Sequence, residues 1–147
     1  MTVELKHFEL TASLSDSEKA AVLEQLELLE LDPGEILFRE GSESDGLWLI
    51  ETGSLSLESN RAGDLGRLSA GSALGGLALT LTGSRELSAT AREDSRVWLL
   101  SREAFRRLAI DEPQAALRIL EAAVMEFATA ARGGLDQLTN AVSPNED

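Results

Sequence analysis

Gly71–Arg92 reads GSALGGLALTLTGSRELSATAR. Its small residues and glycines let a backbone come close to a ligand. Leu77-Ala78-Leu79 is a short apolar run that predicts a single helical turn, and a glycine-containing loop leads from it to Arg85. Beyond Arg85, the small residues from Ser88 to Ala91 predict a strand. The order is that of an anion cradle. Backbone N–H groups at the start of a helical turn have no intrahelical acceptor, and a guanidinium presents a planar fork of donors. Gly75, Gly76, Leu77 and Ala78 would supply the backbone, Arg85 the charge and Ser88 a hydroxyl. The competing reading of Arg85 is a surface arginine paired with a neighbour such as Glu86.

Outward from the cradle the chain falls into short apolar runs punctuated by turn residues. Ser15 and Glu18 have capping-box spacing, and Val22, Leu23 and Leu26 form an apolar stripe, which predicts a helix over 15–26. Leu26–Leu31 predicts a first strand, and Asp32-Pro33-Gly34 a turn in which Pro presets φ. Short strands follow over Ile36–Phe38, Leu47–Ile50, Leu55–Glu58 and Leu65–Leu68, and after the cradle over Ser88–Ala91 and Val97–Leu100. Strands at this close spacing argue for a β-barrel or a sandwich of hairpins. Ser101 then caps a helix whose Phe105 and Leu108 face inward. Asp111-Glu112-Pro113 opens a second, longer helix that is expected to run to about Arg132 and stop at Gly133-Gly134. Along it Leu117, Leu120, Val124, Phe127 and Ala131 alternate spacings of three and four, as a coiled-coil seam does. The stripe either covers the open end of the β-structure or meets a second helix. Ile119, Ala123 and Ala130 widen it, and a helix apolar on more than one side has two neighbours.

Composition sets the bounds. The 147 residues suffice for one domain with a real core, and 43% hydrophobic with 27% charged residues is ordinary for a globular protein. No apolar run approaches a membrane span, and the N-terminus lacks the pattern of a signal peptide. A net charge of −13 disfavours nucleic acid and anionic lipid as partners. Cysteine is absent, which removes disulfides and thiol chemistry and is compatible with a reducing cytoplasm.

Leu74-Gly75-Gly76-Leu77-Ala78-Leu79, then five residues to Arg85, then Ser88 and Ala91, resembles without a gap the phosphate-binding cassette of cyclic-nucleotide-binding domains. That family includes catabolite-activator-type regulators, cAMP-dependent kinase regulatory subunits and gated channels. Pro33-Gly34-Glu35, Glu40-Gly41, Leu47–Ile50 and Gly53 have the cadence of its opening strands, so the likeness covers residues 8–130. The resemblance implies an α+β, mainly β fold: an antiparallel β-roll or jelly-roll barrel with an N-terminal helix and two C-terminal helices. It implies one domain over 1–132 (N-terminal helix 15–26, β-roll 27–100, C-terminal helices 101–132) and a tail over 133–147. Function is then expected to be regulatory: binding of cAMP, cGMP or another small phosphate-bearing anion through Gly75, Gly76, Leu77, Ala78, Arg85 and Ser88. The second C-terminal helix is expected to lid the ligand, pair subunits into a homodimer through 114–132, or do both. Family transcription factors continue into a DNA-reading helix-turn-helix where this sequence ends, so the output is expected either from a separate effector protein or from a longer regulator or transporter of which these residues are a part. One residue departs from the pattern. The family's acid, which accepts from the ribose 2′-hydroxyl, falls on Gly76. An unpaired sugar hydroxyl costs about 1–3 kcal/mol, or one to two decades in affinity. A ligand-free interaction or dimerisation module is therefore the alternative.

Catalysis has little to stand on. His7 is the one histidine and is expected on the surface, which leaves no histidine cluster for a metal. Glu24, Glu27 and Glu30 are spread as a solvated face, and Gly75-Gly76 lacks the Gly-Lys-Ser/Thr of a P-loop. Trp48, Trp98 and Phe127 could stack a base, but core packing is the simpler role.

Overall fold

Ser15 opens the first helix by the reciprocal cap that its spacing predicts. Its hydroxyl accepts the Glu18 N–H at 3.2 Å, and the Glu18 carboxylate accepts the Ser15 N–H at 2.8 Å. Two donors that a helix start leaves orphaned are thus satisfied together. In the computed structural model, which describes residues 3–125 apart from 9 and 81, this helix, α1, spans Asp16–Gln25. Eight strands follow among the described residues: β1 (Glu27–Leu31), β2 (Ile36–Phe38), β3 (Gly46–Thr52), β4 (Ser54–Ser59), β5 (Gly63–Ser69), β6 (Ala73–Leu74), β7 (Ser88–Ala91) and β8 (Ser95–Ser101). Helix α2 (Arg102–Asp111) is capped by the Ser101 hydroxyl, which accepts the Ala104 N–H at 3.0 Å. Residues 113–125 are helical and are called α3.

The strands form two antiparallel sheets, ordered β1-β8-β3-β6 and β2-β7-β4-β5. They are open sheets facing each other as a roll. Among the described residues neither pairs with the other to close a barrel.

The first sheet is buried on both faces, and strand alternation explains how. From β3, Leu47 and Leu49 point to the helices while Trp48 and Ile50 point to the second sheet. From β8, Trp98 and Leu100 go one way and Val97 the other. Between the first sheet and the helices lies the larger core, with Val22 of α1, Phe105 and Leu108 of α2, and Ala115, Ala116, Ile119 and Ala123 of α3. Leu31, Leu55, Ala89 and Ala91 join Trp48, Ile50 and Val97 between the sheets. Both tryptophans are core residues, and the Trp98 indole N–H donates to Glu51 Oε1 at 2.7 Å.

Two features differ from expectation. Val3, Leu5, Phe8, Leu10 and Leu14 are all buried, so the N-terminal segment is a packed part of the domain ahead of α1. A short 3-10 turn, Leu5–His7, shapes it, the Thr11 hydroxyl donates to the Leu5 carbonyl at 2.7 Å, and His7 is exposed. The seam of α3 also splits. Leu120 is half-buried, whereas Leu117 and Val124 are 55% and 48% exposed. The inward rows are the alanines and Ile119 instead. Phe127, Ala130, Ala131, the stop at Gly133-Gly134 and the tail lie outside the described residues.

Arg118 ties α3 to α1. Its Nη1 lies 2.9 Å from Glu18 Oε1, in a side chain that is almost wholly buried. The Ser15 N–H holds the Glu18 carboxyl below its ordinary value, against the opposing effect of burial, and the Ser15 hydroxyl and Arg118 add to the lowering. A carboxyl depressed in the folded state contributes stability above its unfolded value, and that contribution is lost as pH falls through the folded one. Glu18→Gln is expected to lower the melting temperature at pH 7, and the gap to wild type should close as pH falls below 4.5. Thermal unfolding across pH 3–7 (roughly the carboxylate titration range) checks this. A gap that stays constant would remove the ionised pair as its cause.

Candidate functional site

Strand β6 is only two residues long because Gly75 breaks it. Leu74 pairs with Trp48, and at Gly75 the chain turns with φ +86° into the 3-10 turn Gly76–Leu79. The Ala78 N–H closes that turn on the Gly75 carbonyl at 3.0 Å. Ala78 was expected among the anion donors, but its N–H is committed within the turn. Gly76 and Leu77 precede the first intraturn bond, where N–H groups are left unspent. Ala78 and Leu79 are buried.

The chain returns through a loop locked to the β2–β3 connection. The Arg85 N–H donates to the Ser42 carbonyl at 2.7 Å, the Gly41 N–H to the Arg85 carbonyl at 2.8 Å, and the Ser44 N–H to the Gly83 carbonyl at 2.9 Å. Glu43 and Ser84 form an isolated bridge between the same segments. Residues 85–87 are loop, and β7 spans Ser88–Ala91, the stretch where the sequence predicts a strand. Glu86 is exposed.

Arg85 is 7% exposed. Its Nη2 donates to Asp45 Oδ1 at 3.1 Å and to the Gly46 carbonyl at 3.0 Å, and its guanidinium carbon lies 4.4 Å from the centroid of the Phe38 ring. Its partner is thus Asp45, an exposed carboxylate on a neighbouring loop, and not the adjacent Glu86 of the competing reading. The Nε is buried with no hydrogen-bond partner. Burial pushes the guanidinium pKa down, the Asp45 bond and charge oppose that, and the Arg102 charge adds to the lowering. An arginine so perturbed still carries its charge. Arg102 flanks the same loop, donating from Nη2 to the Ser44 carbonyl at 2.7 Å.

The two glycines meet different neighbours. A Cβ on Gly75 would fall on Arg85 Nη1 and lie 3.2 Å from the Gly46 carbonyl. A Cβ on Gly76 would lie 2.7 Å from the Cβ of Ala123 on α3. Gly75 and Arg85 are in direct contact, as the motif implies. Ser88 is engaged elsewhere, its hydroxyl accepting the Glu40 N–H at 2.8 Å. Asp45, Phe38 and Arg102 are the residues that sequence reasoning missed. Asp45-Gly46 read only as the end of a polar loop, and Phe38 as one more apolar strand residue. A concavity of about 440 Å³ lies between the starts of α1 and α3, lined by Ser15, Glu18, Pro113 and Arg118 among others. It is separate from the cassette, and its buried acid is already spent on Ser15 and Arg118.

Asp45→Ala should leave Arg85 buried with one fewer acceptor. Urea unfolding is expected to show a loss of about 1–2 kcal/mol, because a charge-assisted bond is removed while the guanidinium stays desolvated. The exposure of Asp45 keeps the figure at the low end. No change in the unfolding midpoint would mean that the pair contributes nothing.

Comparison with known proteins agrees with this geometry. The family model described as the cyclic nucleotide-binding domain matches residues 28–112. A cAMP-dependent protein kinase regulatory subunit of Blastocladiella emersonii is 30% identical over 121 residues, covering 80% of this chain and 30% of that one. The chain spans under a third of the length of the curated relatives it matches. Among solved structures, the Thermus thermophilus catabolite activator protein superposes with a TM-score of 0.76 at 26% identity, covering 88% of this chain and 62% of that one. The N-terminal domain of a Streptomyces coelicolor transcriptional regulator gives the same TM-score at 23% identity, covering 86% and 93%, and at that identity speaks for the fold alone. With the cassette at Gly75–Arg85 inside the matched region and the two-sheet roll around it, the chain belongs to the cyclic nucleotide-binding domain family.

Proposed function

We propose that the domain is a non-enzymatic regulatory module that binds a cyclic nucleotide, cAMP or cGMP, or another small phosphate-bearing anion at Gly75–Leu77 and Arg85, and signals through α2 and α3. Arg85 is the observation that carries this reading. It is a cation almost wholly removed from water, set against the cassette backbone, with a buried Nε that no acceptor satisfies. Such a donor is worth most to an anion, and a charge-assisted bond contributes about 1.5–3 kcal/mol net. The N–H groups of Gly76 and Leu77 would add neutral donors to the same charge. Ser88 accepts from Glu40 and keeps its own proton to donate. The relatives' names, a cAMP-dependent kinase regulatory subunit and a catabolite activator, support the regulatory class. A cysteine-free chain suits a cytoplasmic setting.

Titration with cAMP and with cGMP by calorimetry is expected to give saturable binding that Arg85→Leu abolishes. Silence at millimolar nucleotide from a folded protein would overturn the cyclic-nucleotide reading.

A second reading has its own observation. Leu117, Val124 and Met125 lie exposed on α3, at 55%, 48% and 67%, opposite the alanine face that packs inward. A homodimer through 114–132 would cover this row, whether or not nucleotide binds, and an effector protein would be the alternative occupant. Sedimentation is expected to show a dimer that the double substitution Leu117→Glu with Val124→Glu converts to monomer. A monomeric wild type at tens of micromolar would exclude the dimer and leave the effector.

A further inference from the structure

Beside Gly76 the surroundings are hydrocarbon. A Cβ built there would have as its three nearest atoms Ala123 Cβ at 2.7 Å, Ala123 Cα at 3.5 Å and Leu47 Cδ1 at 3.9 Å. Both residues are buried. The acids of the neighbourhood are placed otherwise. Asp45 Oδ1 accepts from Arg85 at 3.1 Å, and Glu86 is exposed. The two ends of the cassette therefore differ in chemistry. At one end an anion meets the unsatisfied Nε of Arg85, and at the other it meets backbone N–H groups set beside carbon.

A phosphate ester bonded to the Gly76 and Leu77 N–H groups brings its own carbons to that apolar side, because they are attached to the phosphate oxygens. A hydroxyl carried there gives up water on binding and finds no acceptor, whereas a hydrogen in its place leaves nothing unpaired. Selection for a hydroxyl requires a polar partner in the site, and carbon supplies none. We infer that the cassette recognises the phosphodiester and discriminates against a free hydroxyl on the carbons beside it. Its ligand class is then a phosphodiester that is bare at this edge, 2′-deoxy-cAMP ahead of cAMP. This rests on the anion-binding reading given under Proposed function, and it names the ligand class for that site. Gly76 and its apolar neighbours are the residues that set the preference.

Calorimetric titration of the chain with cAMP and with 2′-deoxy-cAMP tests this. The deoxy compound is expected to bind more tightly, by about 5-fold or more, the effect of leaving one hydroxyl unpaired. Two variants tie the preference to position 76. Ala123→Gly makes room and adds no polar group, so the deoxy preference should persist. Gly76→Ser in that background sets a hydroxyl acceptor beside the ligand, and the preference is expected to fall to parity or reverse. Thermal unfolding of each variant establishes that it is folded. Equal affinities in wild type, or tighter binding of cAMP, would overturn the inference. So would a folded double variant that keeps the full deoxy preference. Binding of 2′-deoxy-cAMP with silence towards cAMP would support it in its strongest form. Silence of every folded variant, wild type included, towards both compounds at millimolar concentration would instead overturn the anion-binding reading, and the ligand class with it.

Discussion

A guanidinium out of water is costly, and much of this domain is arranged around one. Removing an ion from solvent carries a penalty of several kcal/mol unless its surroundings replace the lost water. For Arg85 the replacement comes from three separate places: the carboxylate of Asp45, the carbonyl of Gly46 and the face of Phe38. Each demand fixes another element. Gly46 begins β3, Phe38 ends β2, and the loop between them is stitched to Arg85 through its own backbone. Gly75 has to be bare because the guanidinium lies against it. Arg102 grips the far side of the same loop, so two cations share one short segment within a chain of net charge −13.

The β-structure was largely legible because burial on two faces and burial on one leave different patterns. Leu47-Trp48-Leu49-Ile50 and Val97-Trp98-Leu99-Leu100 are continuous apolar runs, and both strands sit between helices and the second sheet. Ser54–Ser59 and Ser88–Ala91 alternate, and they belong to the second sheet, which is covered on its inner side. Barrel closure was not legible, since it depends on pairing between sheets that no local pattern encodes. The packed N-terminal segment was missed for a related reason. Val3, Leu5, Phe8, Leu10 and Leu14 follow neither period, because a 3-10 turn and irregular backbone present them to the core.

Within the site, the line between legible and hidden runs along sequence distance. Gly75, Gly76 and Arg85 lie in one continuous stretch that the sequence singles out, and in the structure Gly75 lies directly against the Arg85 guanidinium. Asp45, Phe38 and Arg102 reach the site from the β2–β3 loop, β2 and the start of α2, and nothing in their immediate neighbours marks them. Glu86 looked like the natural partner because it is adjacent. Adjacent residues in extended or looping backbone point apart, and the acid that matters comes from the neighbouring β2–β3 loop. The helix α3 makes the same point at the level of a face. Spacing of three and four identified it as apolar, but the bulky row at Leu117 and Val124 lies outward and the alanine row inward. Close approach to a bare glycine favours the small row.

That choice of face gives the cassette two ends of different character. The Arg85 end is electrostatic, long in reach and tolerant of small displacements. The Gly76 end is a steric contact, and close-packed surfaces are either seated or parted rather than smoothly deformable. The turn Gly76–Leu79 connects them, with Ala78 and Leu79 buried in the core beneath. A ligand can move α3 only by as much as it prefers one seating to the other. At Gly76 an added Cβ would lie 2.7 Å from the Ala123 Cβ, so the bare glycine and the small alanine together set how closely α3 approaches the cassette.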